Sequence, residues 1–164
     1  MPTATYTPLA TVTLASATGT VTFSNIPTSG TYRDLILIIT AQRTGSPVNV
    51  GMRFNGDSGS NYSSVFMTGT GSGTPPSGTV SGTNVQLDVY PYPPSSGFNN
   101  YIVQIMDYAA TDKHKSVLVR VNDAGNATEA SAARWASTAA VNSLALTLSN
   151  FNTGSTFSLY GVIA

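Results

Sequence analysis

The stretch VNVGMRFNGDSGSNYSS, Val48 to Ser64, decides the fold. Val48, Val50, Met52 and Phe54 fall on one face and Asn49, Gly51, Arg53 and Asn55 on the other, the two-residue period of a half-buried strand. Asn55-Gly56 then supplies the positive φ angles that a tight hairpin turn needs, and the loop beyond it ends in Asn61-Tyr62.

The same reading extends along the chain. Strands are predicted at Leu9 to Ala15, Thr20 to Phe23, Tyr32 to Ala41, Val48 to Phe54, Ser63 to Thr68 and Asn84 to Tyr90. Further strands follow at Tyr101 to Ala109, Ser116 to Asn122, Ala132 to Ser137, Leu144 to Ser149 and Thr156 to Ile163. Val85/Leu87/Val89, Val117/Val119/Val121 and Leu144/Leu146/Leu148 each give one apolar face, as two sheets around a shared core require. Turn residues such as Ser29-Gly30, Asn55-Gly56 and Thr153-Gly154 recur at intervals of roughly 10 residues, the spacing of a sandwich or barrel. Thr128 to Ala140 is rich in Ala and fits a helix or a strand; Ala133, Trp135 and Ser137 tilt it toward strand. The expected fold is all-β, an antiparallel two-sheet sandwich of about ten strands in one domain, residues 1–164.

Two segments read as excursions. Gly69 to Gly82, GTGSGTPPSGTVSG, is too polar to bury and too rich in Gly and Pro to be regular, so a flexible loop, or an arm that orders against a neighbour, is expected over 69–82. Met1 to Pro8 reads as an N-terminal arm. Pro91 to Asn100 is stiffer, because three prolines fix φ, and it presents Tyr92 and Phe98.

Composition narrows the partners. Seven basic and seven acidic residues cancel, so no long-range field steers nucleic acid or an anionic membrane toward the chain. Only 9% of residues are charged, against about 25% in a typical domain. A surface poor in Lys and Glu is cheap to desolvate, which favours assembly. Cysteine is absent, which excludes disulfides and thiolate metal sites, and no apolar run approaches the ~20 residues of a membrane span.

Chemistry is sparse. The only histidine, His114, sits in DKHKS beside Asp112 and Ser116, but a triad is assembled in space rather than in one polar turn, so a solvated histidine is expected. Gly69, Gly71 and Gly73 lack the Lys-Ser/Thr and the helix of a phosphate loop. Asp57, with Asn55 and Asn61, offers oxygen ligands for a weak calcium site; bonding to loop amides is the favoured reading, since a calcium loop needs more carboxylates. Tyr90, Tyr92 and Phe98 around the prolines are candidates for subunit contact, for stacking on sugar rings or for loop packing. No catalytic residue, metal or cofactor is expected.

Three pieces, TYRDLILIITAQRTG, MRFNGDSGSNYSS and LSNFNTGSTFSLYGVIA, resemble in that order small virion proteins of tailed bacteriophages, from about Thr31 to the C-terminus. The resemblance implies a jelly-roll-like particle component, either a capsid decoration (cement) protein or part of a tail fibre. A compact chain with an arm and a loop suits the decoration role: a homotrimer on the capsid surface, gripping the major capsid protein without catalysis. The alternative is a tail or surface module binding a receptor or carbohydrate through Tyr92, Phe98 or Asn61-Tyr62.

Overall fold

The computed structural model describes residues 5–73, 76–123 and 127–163, and these contain strands and turns but no helix. The strands are β1 (Tyr6–Thr13), β2 (Thr18–Phe23), β3 (Asp34–Ala41), β4 (Gly51–Phe54), β5 (Tyr62–Gly69) and β6 (Ser77–Gly82). They continue with β7 (Val85–Gln86), β8 (Asn99–Met106), β9 (Lys115–Asp123), β10 (Ala127–Trp135), β11 (Leu144–Phe151) and β12 (Thr156–Val162). One sheet has eight strands in the order β1-β12-β3-β8-β9-β10-β5-β6, the other four in the order β2-β11-β4-β7. Every pairing is antiparallel.

The strand order is that of a jelly roll with two additions. β1-β12-β3-β8 faces β2-β11-β4-β7, and the chain crosses between these halves as a double Greek key does. The hairpins β5–β6 and β9–β10 are inserted between β4 and β7 and between β8 and β11. They pair with each other through β10 and β5, Trp135 opposite Tyr62 and Thr128 opposite Gly69, and so widen the first sheet to eight strands.

Between the sheets lie Leu35, Leu37 and Ile39 of β3, Val103 and Ile105 of β8, Val117, Val119 and Val121 of β9, and Met52, Leu144, Leu146 and Phe157. Each is essentially out of water, and burying such a side chain is worth about 1.5–3 kcal/mol. β10 alternates as the others do, with Ala127, Glu129, Ser131, Ala133 and Trp135 inward, so the Ala-rich segment is a strand.

Several expectations change, and the strand expected over Val48 to Phe54 is confined to Gly51–Phe54 with Val48 exposed. Asn55 (φ 52°) and Gly56 (φ 70°) do form a two-residue turn, closed by the Asp57 amide donating to the Phe54 carbonyl at 2.8 Å. It joins β4 of one sheet to β5 of the other, however, because both edges of β4 are taken by β11 and β7. The turn is a corner between layers, not a hairpin. Within the 69–82 segment, Ser77–Gly82 is a strand whose backbone pairs with Tyr62–Met67; Thr74 and Pro75 lie outside the described residues. Low apolar content did not prevent this, since an edge strand needs ladder bonds on one side only. The 1–8 arm shortens likewise: Tyr6, Thr7 and Pro8 pair with Val162, Gly161 and Tyr160, while Met1 to Ala4 lie outside the described residues. The strand expected over Asn84 to Tyr90 pairs only at Val85–Gln86. Beyond that point the Leu87 amide still donates to the Val50 carbonyl at 2.9 Å, and Asp88 then replaces the ladder: its Oδ1 accepts the Val50 amide at 2.9 Å, and Asn49 Nδ2 donates to its carbonyl.

Candidate functional site

The widened sheet has an outer face that nothing described in the chain covers. Odd-numbered residues of β9 and β10 point inward, so Leu118, Arg120, Ala130 and Ala132 point out. Register lines these up with neighbours in two rows across the sheet. One runs Ile38, Ile102, Arg120, Ala130, Met67 and the other Ile36, Gln104, Leu118, Ala132, Val65. Met67 is 66% exposed, Val65 53% and Leu118 45%. The small side chains of β10 form a floor beneath taller neighbours, giving a trough of about 870 Å³ that extends from Tyr6 to Met67. Scattered exposed apolar residues are ordinary, whereas these stand side by side, interrupted by Arg120 and Gln104, and make the face a candidate interaction surface.

The Asn55 to Asn61 loop is engaged internally. Asp57 Oδ1 accepts the Gly59 amide at 2.8 Å, and Oδ2 accepts Asn61 Nδ2 at 2.9 Å and the Trp135 indole Nε1 at 2.7 Å. These bonds, the indole's foremost, hold the Asp57 carboxyl below its ordinary range. Asn55 Nδ2 donates to the Ala140 carbonyl, and its Oδ1 accepts the Asn142 and Ser143 amides, clamping the segment before β11. Tyr62 is no ligand residue: it is 2% exposed, its hydroxyl accepts the Phe54 amide and donates to the Asp57 carbonyl, and its ring stacks at 15° on Trp135. The alternating pattern of β5 starts one residue earlier than expected, which turns Tyr62 into the core. Among the described residues no three His, Cys, Asp or Glu side chains gather as metal ligands do.

The proline segment is anchored at several points. Asn99 Nδ2 donates to the carbonyls of Pro91 and Tyr92, Gln42 Nε2 to that of Ser95, and the Arg43 amide to that of Pro94. Tyr90, Tyr92 and Phe98 stand 38–40% exposed. The ring pairs found among the described residues, Phe54–Tyr62–Trp135 and Phe151–Phe157, include none of the three, so they share a segment without forming a stacked platform.

Beneath this segment is a polar cluster that the sequence reading missed. Glu129 is buried on β10, its carboxylate accepting the Val89 amide at 2.9 Å, the Tyr90 amide at 3.2 Å and the Thr68 hydroxyl at 2.8 Å. Asp88 is fully buried, with Tyr101 donating to its Oδ2 at 2.5 Å. Burial, with Glu129 adding to it, pushes the Asp88 carboxyl up to about 7; burial raises Glu129 and Tyr101 as well. Lys115 was also missed. Its Nζ donates to the carbonyls of Ala110, Lys113 and Thr138 at 2.6, 3.0 and 3.4 Å, and burial lowers its pKa. The signal for both was present: Glu129 and Lys115 sit in phase with the inward residues of β10 and β9. His114, Asp112 and Ser116 are exposed around the same turn.

No protein-family model matches the chain, and no curated protein or solved structure matches it.

Proposed function

We propose that the chain is a bacteriophage virion structural protein, a capsid decoration protein that self-associates as a homotrimer and binds the major capsid protein lattice. The observation that carries this reading is the apolar outer face of the eight-stranded sheet, where Ile38, Val65, Met67, Ile102 and Leu118 stand 38–66% exposed around one trough. The near-neutral, charge-poor surface supports it, since little must be desolvated on assembly. The mechanism is mechanical: interface buried between neighbouring capsomers offsets the outward pressure of packaged DNA. Co-sedimentation with empty phage capsids, loss of binding on Met67→Lys and a trimeric mass by light scattering are the expected results. A strict monomer that leaves capsids unbound overturns the proposal.

A second reading rests on the proline segment, whose exposed Tyr92 and Phe98 ride on a well-anchored loop. It makes the chain a tail-fibre or surface module for a receptor or carbohydrate. Glycan-array binding abolished by Tyr92→Ala supports that reading; no glycan binding together with capsid binding removes it.

A further inference from the structure

We infer that the trough across the eight-stranded sheet takes an extended, mostly apolar polypeptide segment bearing one carboxylate, seated on Arg120. The inference rests on reading this face as the assembly surface, and it specifies the chemistry of what docks there.

Charge is the argument. The walls are Ile38, Ile102, Leu118, Val65 and Met67, and Arg120 stands near the middle of one row. Arg120 makes neither of the ion pairs that the described residues show, Arg33–Asp34 and Lys113–Asp107. Asp34, the acidic residue lining the trough, is saturated. Its Oδ1 accepts the Asp107 amide at 2.9 Å, and its Oδ2 accepts Arg33 at 3.2 Å and Gln104 at 3.4 Å. An apolar occupant without an acid would cover the guanidinium and strand its charge, which is costly. A carboxylate meets its forked donors in the geometry they favour.

Charge weighs against a second copy stacked with its Arg120 on this one, since two guanidiniums that make neither ion pair would then meet. The trough spans β1 to β5, seven strands of the sheet order, which at about 4.8 Å per strand is roughly 29 Å. About nine extended residues cover that length.

The test uses the full chain and random nine-residue peptides displayed on yeast, selected in parallel on wild type, Arg120→Glu, Arg120→Gln and Arg134→Glu. Arg134 is exposed on β10 at a neighbouring shallower depression and serves as the control. Wild type and the control are expected to enrich apolar peptides with one Asp or Glu. Both Arg120 variants should weaken the selected peptides at least tenfold, and Glu→Gln in the peptide should do the same. Selected peptides that lack an acid, that bind Arg120→Gln as well as wild type, or that fail to emerge at all overturn the inference. So does a dimer that blocks peptide binding and persists in Arg120→Gln. Capsid binding is scored separately: if it survives Arg120→Glu, this inference falls and the proposed function stands. If peptides behave as expected and capsids are not bound, the reverse holds.

Discussion

Trp135 Nε1 donates to Asp57 Oδ2 at 2.7 Å, so the end of β10 is bonded to the corner by which the chain passes from the four-stranded to the eight-stranded sheet. The indole also packs on Phe54, ring centroids 5.4 Å apart, and on Tyr62 at 6.3 Å. One side chain therefore joins an inserted hairpin to the jelly-roll core by both polar and apolar contact.

Trp135→Phe keeps an aromatic six-membered ring but removes the pyrrole half of the indole and its donor. A charge-assisted bond of this kind is worth about 1.5–3 kcal/mol, and at a partly exposed loop the lower end or less is expected. The Asp57 carboxyl, freed of its first stabilising partner, should titrate at higher pH than in wild type. Carboxyl NMR titration of the two proteins checks this, and an unmoved Asp57 contradicts it.

The corner itself needs positive φ at Asn55 and Gly56. Nothing lies within 4 Å of a Cβ placed on Gly56, so Gly56→Ala suffers backbone strain without a clash. The expected loss is about 1–2 kcal/mol, read as a lower urea midpoint with an unchanged slope.

Asp88 gives stability a pH dependence of definite sign. Its carboxyl titrates near 7 in the folded chain and near 3.8 in the unfolded one. The folded state thus holds its proton more tightly. The stabilisation is complete below pH about 4 and is lost as pH rises through about 7, at up to about 1.4 kcal/mol per pH unit. Glu129, raised for the same reason, acts with the same sign. Urea unfolding from pH 5 to 8 should show wild type losing stability relative to Asp88→Asn; parallel curves contradict the account.

Gly161 of β12 lies under the ring of Tyr32, where a Cβ would stand 2.5 Å from Cγ. Gly161→Ala is expected to cost about 1–3 kcal/mol through overpacking. Tyr32→Ala should relieve much of that cost, so a double-mutant cycle will be strongly non-additive. Additive losses would mean the ring simply moves aside.

Alternation carried most of the fold into view. The phase of Val117, Val119 and Val121 placed β9, that of Leu144 and Leu146 placed β11, and Asn55-Gly56 marked a turn that is present. Partner choice was hidden, because the same dipeptide serves a hairpin or a corner and only the occupancy of β4's edges decides. Ser77–Gly82 was illegible because its strand state comes from backbone bonds to β5, with little contribution from its side chains. As for the candidate surface, Met67 lies far from Ile102 and Leu118 in sequence, and it joins them only once the two inserted hairpins are paired.

The pairing of β1 with β12 has a consequence for synthesis. Tyr6 lies opposite Val162 and Thr13 opposite Thr156, so β1 leaves the ribosome well before β12 and must wait for it before it finds its neighbour. Hairpin β9–β10 closes locally within microseconds, whereas β1 stays an unpaired strand until β12 has been made, seconds later at ordinary rates. Newly made chains therefore pass through a stage in which β3 shows a bare edge where β12 will later sit, and at high expression that stage is where chains are expected to find one another wrongly.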